Sequence, residues 1–304
     1  MHVRSFGLSR PVLFLAVVVW VAAHGNVSTQ TADQGPLTLT VMDAPGTLKP
    51  GGVALISVAS TLDLTELTGE AAGRPVRFWT ATPREWNGLV GVNLESAPGP
   101  VPLMIQGKTA SGLTGTTRVS LLVERYRFET RRLQVDPRLA NPPPEELARI
   151  KEEARVMAEA FAIVTPQRYW RGPFDAPVAG TATSSFGRLT ITNGKRAGRH
   201  QGADFRAATG TPVKAPNAGR VVVAQNLYFA GNTVIIDHGL GVFSLLAHLS
   251  RIDVTPGATL ARGDLVGESG ATGRVTGPHL HWAVRFGDMT VDPIALMSAL
   301  ATQH

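Results

Sequence analysis

The chain has 304 residues, of which 43% are hydrophobic and 17% charged, a balance that excludes a generally disordered protein and allows one large or two ordinary domains. It contains no cysteine, which excludes disulfides, thiolate metal ligands and cysteine nucleophiles, so any metal must be held by histidine and carboxylate groups. The formal net charge of +6 suits a polyanionic environment, but no run of Lys and Arg indicates a nucleic-acid partner.

The amino terminus has the three-part pattern of a secretory signal peptide. Arg4 and Arg10 form a positive start, an uninterrupted apolar run covers residues 11–23, and small residues follow. This run is shorter than the roughly 20 apolar residues that a transmembrane helix needs. We therefore predict a signal peptide over residues 1–25 and export of the rest. An uncleaved segment that holds the chain transiently at the membrane is the alternative.

Residues 36–135 are predicted to form an Ig-like β-sandwich. Six short segments with strand-like composition are separated by turns rich in Pro and Gly. The segments are LTLTV, VALISV, VRFW, GLVGV, VPLMIQ and TRVSLLV. Their near-regular spacing is typical of a sandwich or an immunoglobulin-like module. Because this region contains no histidine and no cluster of carboxylates, we interpret it as a non-catalytic accessory domain.

Residues 141–163 are predicted to form an amphipathic helix that connects two domains. Prolines and two glutamates occupy its first turn, where proline is tolerated and acidic groups favour the positive end of the helix dipole. An apolar stripe follows at steps of three and four: Leu147, Ile150, Ala154, Met157 and Phe161. We expect this stripe to pack on one of the domains. A coiled-coil dimer is less favoured because its seam needs three or more heptads.

A second β-rich domain is predicted over residues 175–300. Gly and β-branched residues dominate there, and segments such as GNTVIIDHG and GVFSLLAHLS suit strands joined by tight turns. The chain is therefore predicted to be mainly β, with one connecting α-helix between the two β-rich regions.

Five of the eight histidines fall in this second domain: His200, His238, His248, His279 and His281. His200 lies four residues before Asp204, and His279 lies two before His281, so each pair can share one face of a strand. Residues 280 and 282 would then point into a core. Each pair alone is more often an exposed or structural feature, but together they favour a metal site.

The chemistry of this set fits metal-assisted hydrolysis. Catalytic zinc sites use three ligands from His, Asp or Glu and leave the fourth position to water, whose pKa the metal lowers toward neutrality. A nearby imidazole can accept or donate the remaining proton. Four histidines and one aspartate supply three ligands and two such imidazoles. Spacing alone does not decide which residue takes which role.

Two stretches resemble the lysostaphin-type, or LytM, metallopeptidases of family M23. They are HQGADFRAATGTPVKAPNAGRVVVA and AHLSRIDVTPGATLARGDLVGESGATGRVTGPHLHWAV, and the resemblance runs from about residue 180 to residue 297. It implies a compact antiparallel β-sheet peptidase domain with one catalytic Zn²⁺. It also implies hydrolysis of peptide bonds in peptidoglycan cross-links or stem peptides, in the periplasm or cell envelope of a bacterium.

The resemblance also implies roles for individual residues. The zinc ligands fall on His200, Asp204 and His281, and the catalytic histidines on His248 and His279. One of the two catalytic histidines would act as general base, and the other would stabilise the oxyanion or position the water. His238 matches no functional position and is expected to be structural, at a strand end.

The sequence departs from the family pattern at two places. Leu246 stands where many members carry a tyrosine two residues before His248, and no tyrosine precedes His200 in TNGKRAGRH. An oxyanion contribution from such a tyrosine is therefore in question. The amino-terminal region loosely resembles the β-rich region that precedes the peptidase in some bacterial members.

Three functions compete at this point. The leading hypothesis is an exported zinc endopeptidase that cleaves peptidoglycan. The alternatives are a non-enzymatic envelope module that binds peptidoglycan or activates another cell-wall hydrolase, and a zinc D,D-carboxypeptidase or dipeptidase of another fold. The intact set of five metal and catalytic positions favours the first. A further hypothesis is that the helix and the first domain cover the active cleft.

Overall fold

Nine strands, several of them with alternating buried and exposed residues, lie in the amino-terminal part of the described chain. The computed structural model describes residues 35–133, 142–184 and 186–301, so the predicted signal peptide lies outside the described residues. The nine strands are β1 (Leu39–Asp43), β2 (Thr47–Leu48), β3 (Val53–Ser60), β4 (Glu66–Ala71), β5 (Arg74–Thr82), β6 (Glu85–Gly91), β7 (Gly99–Lys108), β8 (Thr114–Val123) and β9 (Thr130–Leu133).

Eight of these strands form one continuous path in the order β1-β3-β6-β5-β4-β7-β8-β2. Strand β5 joins its two halves, because residues 74–77 pair with β4 and residues 78–82 pair with β6. The inward side chains form a core of their own, to which Ile56, Leu103 and Leu121 contribute. The mainly β class is confirmed, whereas the immunoglobulin-like arrangement of this region stays a prediction.

The connecting segment begins with a 3-10 turn (Pro144–Glu146) and continues as helix α1 (Leu147–Ala162). The C-terminal end of α1 is buried, and the ring of Phe161 lies edge-on to that of Phe243, with centroids 5.6 Å apart. The predicted apolar stripe is wrong at Ala154, which is exposed, and at its first residue, Leu147, which is 54% exposed. That residue lies at the start of the helix, away from the sheet against which the last turns of the helix pack.

Twelve strands and a second helix follow α1 in the described chain. They are β10 (Ala182–Ser184), β11 (Leu189–Thr192), β12 (Lys195–Arg199), β13 (Ala203–Phe205), β14 (Pro212–Lys214), β15 (Gly219–Leu227), β16 (Gly231–Gly239), β17 (Val242–Ile252), β18 (Thr259–Leu260), β19 (Leu265–Ser269), β20 (Leu280–Phe286), β21 (Met289–Val291) and α2 (Pro293–Ala301). Neither α-helix in the described ranges is long and apolar enough to cross a membrane.

The main C-terminal sheet has the order β10-β13-β20-β17-β16-β15-β18. Strand β19 pairs with both β14 and β17, and β21 pairs with β20. The pairs in this sheet are antiparallel. Strands β20 and β17 lie near its centre, and Leu280 and Trp282 are fully buried there as predicted.

The two β-rich regions share a hydrophobic core. The ring centroids of Trp79, in β5, and Trp170 are 5.7 Å apart, and both residues belong to the same buried cluster as Trp282. Strand β9, which falls within the predicted accessory domain, pairs in parallel with β11 in a small three-stranded sheet. Cutting the chain at residue 170 would therefore expose apolar surface.

His238 lies in a closed hydrogen-bond network at the end of β16. Its Nδ1 lies 2.8 Å from the carbonyl oxygen of Ala218, which can only accept, so Nδ1 carries the proton. Its Nε2 then accepts from the Ser244 hydroxyl (2.9 Å), and the indole N–H of Trp282 also donates to that oxygen (3.1 Å). Phe174 packs against the imidazole ring. The network ties β16 and β17 to β20 and stabilises the neutral ring.

Replacement of His238 by asparagine should make stability less dependent on pH. Burial lowers the pKa of His238 to about 4, whereas the pKa in the unfolded chain is 6.5. The stability that the neutral ring contributes is therefore complete above pH 6.5 and is lost as the pH falls toward 4. The free energy of unfolding that is lost over this pH range amounts to about 3 kcal/mol. The variant should be less stable at pH 7, and its deficit should shrink by pH 4.5.

Urea unfolding of metal-free wild-type and variant chains at both pH values measures this deficit. Since the other titrating groups are the same in both chains, their contributions cancel in the difference. A deficit that stays constant with pH would contradict the buried, neutral state of His238.

Candidate metal centre

Three neighbouring strands and one loop bring the first three site residues together. Asp204 in β13 lies opposite His281 in β20, and His281 lies opposite Ala247 in β17. His200 follows β12, and its backbone N–H donates to the carbonyl oxygen of Arg188 (2.9 Å). His200 and Asp204 therefore meet across a short loop, whereas the spacing argument allowed them to share a strand.

The donor atoms of His200, Asp204 and His281 converge on one point. His200 Nε2 lies 3.0 Å from Asp204 Oδ1 and 3.2 Å from His281 Nδ1, and the last two atoms are 2.9 Å apart. Ligands of a tetrahedral zinc ion with bonds of ~2.0–2.1 Å are about 3.3 Å apart. The three atoms form a group that could hold a metal ion, and a slight expansion would match zinc.

Proton balance within this group also favours a cation. If both imidazoles donate to the Asp204 carboxylate, their two N–H groups face each other at the 3.2 Å contact between His200 and His281. A metal ion that accepts lone pairs from both nitrogens and the carboxylate removes this conflict.

Burial and hydrogen bonds shift the pKa values of Asp204 and His281. Burial acts to raise the pKa of Asp204, but the hydrogen bonds from His200 and His281 outweigh it, so this pKa lies well below its usual value. Burial lowers the pKa of His281, against the opposing effect of its hydrogen bond to Asp204. An ionised carboxylate and a neutral imidazole are the forms in which these side chains bind metals.

His248 reaches the site through an irregularity in β17. The register between β16 and β17 shifts between the pairs Asn232–Leu249 and Val234–Leu246, as in a β-bulge. His248 there has a φ of +66°, a left-handed conformation that is unfavourable for a residue with a side chain. Bulges of this kind often re-aim a side chain at an active site.

The imidazole of His248 is oriented by one loop. Its Nδ1 donates to the carbonyl oxygen of Thr272 (3.0 Å), since that oxygen can only accept. The Thr272 hydroxyl donates to the carbonyl oxygen of Leu249 (2.7 Å) and accepts from the backbone N–H of Asn232 (2.9 Å). In the neutral ring Nε2 therefore carries the lone pair.

His279 lies immediately before β20, where an isolated bridge pairs it with Gly270. Its Nδ1 donates to the carbonyl oxygen of Gly277 (2.9 Å), and its Nε2 lies 3.8 Å from Asp204 Oδ1. The rings of His248 and His279 are 4.9 Å apart between centroids, and those of His248 and His281 are 5.9 Å apart. The five residues singled out in the sequence therefore form one cluster.

The environment keeps His248 uncharged at neutral pH. Burial lowers the pKa of His248 to about 4, and the nearby His281 acts in the same direction because two adjacent imidazoles disfavour a shared positive charge. A cation bound beside it would act in the same direction. His248 is therefore a proton acceptor in this site rather than a resident cation.

Gly202 gives His281 the room that it occupies. A Cβ at Gly202 would lie 2.5 Å from the carbonyl oxygen of Trp282 and 2.8 Å from His281 Nε2. We expect Gly202→Ala to displace the His281 ring and weaken metal binding by roughly 10–100-fold, the range seen when groups that orient ligands are lost. Titration of the metal-free chain with zinc measures the affinity.

The matched control for this substitution is Gly46→Ala, because no atom lies within 4 Å of the added Cβ at Gly46. Wild-type affinity in both variants would contradict the assigned role of Gly202.

The cluster lines a cleft of about 610 Å³. One wall comes from α1, whose Met157 and Phe161 face the cleft, as do Ala154 and Ala158. None of the described residues 36–133 lines it, so the hypothesis that the first domain covers this cleft finds no support there. Leu246 is fully buried in the shared core, and no side chain from that position lines the cleft.

Sequence reasoning did not identify the groups that orient the two catalytic candidates. The carbonyl oxygens of Thr272 and Gly277 fix the tautomers of His248 and His279. A backbone carbonyl is present at every residue, so no residue type could have indicated these partners. The Gly277 carbonyl lies only two residues from His279, whereas the Thr272 carbonyl lies 24 residues from His248 and is brought to it by the tertiary structure.

In this β-sheet protein, two histidines and one aspartate form a group that could hold a metal ion, and two further imidazoles lie in the same cleft. This is the architecture of a metal-dependent hydrolase. Peptidase family M23 matches residues 198–293. A solved structure from Pseudomonas aeruginosa, assigned to M23 peptidases, is 34% identical, with 82% of this chain and 95% of that chain covered and a TM-score of 0.62. The chain belongs to peptidase family M23.

Two curated relatives match the C-terminal part. The peptidoglycan DD-endopeptidase ShyA of Vibrio cholerae is 48% identical over 88 residues, 29% of this chain and 20% of the relative. The DD-carboxypeptidase/endopeptidase Mpg of Neisseria meningitidis is 39% identical over 97 residues, 32% of this chain and 22% of the relative. The chain thus spans about a fifth of the length of these curated relatives.

Proposed function

We propose that this chain is an exported zinc-dependent endopeptidase that hydrolyses peptide bonds in peptidoglycan. The observation that carries the proposal is the convergence of His200, Asp204 and His281 beside His248 and His279 in one open cleft. The names of the curated relatives support peptidoglycan as the substrate. The net charge of +6 suits an anionic cell-wall polymer.

His200 Nε2, Asp204 Oδ1 and His281 Nδ1 would hold the metal. A bound Zn²⁺ supplies Lewis-acid polarisation of a carbonyl and lowers the pKa of a bound water toward neutrality. The protein supplies two neutral nitrogen donors and one anionic oxygen donor. The backbone register between β13 and β20 sets the separation of Asp204 and His281 before any metal binds.

His248 is proposed as the general base. Its Nδ1 proton is held by the Thr272 carbonyl, so its Nε2 lone pair can accept a proton from the attacking water. The same Nε2 atom can then donate that proton to the amine that leaves. A pKa of about 4 keeps this nitrogen unprotonated at the start of the reaction.

His279 is proposed to stabilise the negative charge that develops on the scissile carbonyl in its protonated form, because its Nδ1 proton is donated to the Gly277 carbonyl oxygen and only a second proton on Nε2 can face the oxyanion. Its ring lies beside that of His248 and is held by the Gly277 carbonyl, so both imidazoles border the same space. Preorganised groups of this kind contribute to rate because they need no reorientation during the reaction. No tyrosine lines the cleft among the described residues, so His279 takes this role here.

Incubation of the purified full chain with purified peptidoglycan tests the proposal. We expect soluble fragments whose masses identify a cleaved peptide bond, loss of release after chelation, and recovery on addition of zinc. Release of glycan fragments alone, or retention of full activity after complete metal removal, would contradict it. Binding without any cleavage would favour the non-enzymatic envelope module.

A further inference from the structure

The charged side chains around the cleft are unevenly distributed. Among the described residues that line it, Asp204 is the only acid, and it is engaged by His200 and His281. Two arginines, Arg274 and Arg285, line the same cleft. The cleft therefore offers positive charge to whatever enters it, and the two arginines differ in their availability.

The guanidinium of Arg285 is held by contacts within the protein. Its Nε donates to the carbonyl oxygen of Gly287 (3.2 Å), and its Nη2 donates to that of Asp288. Its guanidinium lies 4.5 Å from the centre of the Phe161 ring and so fastens α1 to β20. These contacts leave Arg285 little freedom to bind a ligand.

Arg274 is exposed, and its guanidinium forms no hydrogen bond to another of the described residues. Its backbone N–H donates to the carbonyl oxygen of Phe229 (2.9 Å), which anchors the loop between β19 and β20. Its guanidinium lies 4.3 Å from the centre of the Phe229 ring, at the edge of the cleft. Within the part of the chain that the structure describes, no carboxylate forms an ion pair with it, whereas Arg251 pairs with two.

Arg274 lies in the cleft that holds the site residues and is close in sequence to two of the segments that form the site. It lies two residues after Thr272, whose carbonyl orients His248, and five residues before His279. The aromatic ring beneath the guanidinium restricts its motion and removes part of its hydration. A guanidinium placed in this way can donate two parallel hydrogen bonds to a carboxylate.

We propose that Arg274 binds a free carboxylate of the peptide substrate and thereby determines specificity for acidic peptides over neutral ones. This inference rests on the proposed peptidase function. It assigns the substrate to the class of peptides that carry a carboxylate near the scissile bond, as distinct from uncharged glycine-rich bridges. The basic cleft would also draw such substrates in, an effect that salt screens.

The test uses two substrates. The first is a cross-linked muropeptide isolated from peptidoglycan that the wild-type chain cleaves, and the second is the same compound after its free carboxylates are converted to carboxamides. We expect wild-type kcat/KM to be about tenfold higher for the acid form, which corresponds to about 1.4 kcal/mol. In Arg274→Gln that ratio should fall to near one, mainly through a higher KM for the acid form. Arg274→Lys should retain part of the preference, because it keeps the charge without the planar fork.

Arg118→Gln is the matched control, since Arg118 is an exposed arginine on β8, in the sheet that does not line the cleft. It should keep the wild-type ratio, and zinc content is measured in every variant. Equal losses of kcat/KM on both substrates in Arg274→Gln would indicate a structural role and overturn the inference. A wild-type ratio near one would overturn it too. Cleavage of neither compound by a zinc-loaded wild-type chain would instead overturn the proposed function.

Discussion

Replacement of His281 by alanine should strip most of the zinc from the purified chain, which otherwise should hold about one ion per molecule. The substitution removes one of three donor atoms that lie within 2.9–3.2 Å of one another. Loss of an outer partner that only orients a ligand costs 10–100-fold in metal affinity, and loss of the ligand itself should exceed this range. Metal analysis after dialysis against a zinc buffer measures the effect.

Asp204→Ala should give the same result, because it removes the anionic donor and the hydrogen-bond partner of both imidazoles. Circular dichroism of the metal-free wild-type and variant chains separates ligand loss from unfolding. Full zinc retention in both folded variants would reject this set of ligands.

Replacement of His248 by alanine should leave zinc in place and reduce peptidoglycan cleavage by ~10²–10⁴-fold, the usual contribution of a positioned acid–base group. His248 donates to the Thr272 carbonyl and takes no part in the three-atom group, so its removal takes away a proton acceptor and no ligand. Initial rates of fragment release and zinc content are measured on the same preparations.

The backbone at His248 requires a second variant. Its φ of +66° suits asparagine better than alanine, so His248→Asn separates loss of the imidazole from added backbone strain. Both variants should show the same loss of activity. A normal cleavage rate in either variant with zinc bound would exclude His248 as the general base.

Most of the strands were predictable because their apolar residues alternate. The segment VALISV lies within β3, and TRVSLLV lies within β8. Strand β4 was missed, since its inward positions, Leu67, Gly69 and Ala71, include two small residues that give almost no hydrophobic signal. The apolar stripe of α1 was placed correctly near Phe161 and wrongly at Leu147 and Ala154.

The candidate site was likewise predictable from the sequence in part only. Histidine, aspartate and glutamate are the main metal-binding side chains that a cysteine-free domain offers, so the spacing of the candidates and their resemblance to a family were visible without coordinates. The β-bulge that turns His248 toward the cleft was not visible, because it depends on the register between β16 and β17. The exposed guanidinium of Arg274 became informative only once its surroundings were known.

The sequence by itself determined the mainly β class, the five candidate site residues and the absence of thiol chemistry, since these depend on residue type, local spacing and motif. Tertiary structure decided that the two β-rich regions share a core, that α1 forms a wall of the cleft, and that the carbonyl of Thr272 orients His248. Each of these contacts joins residues that are not neighbours along a single strand or helix. The physical reason is that strand register and burial are set by the packing of the whole chain, which no local pattern encodes.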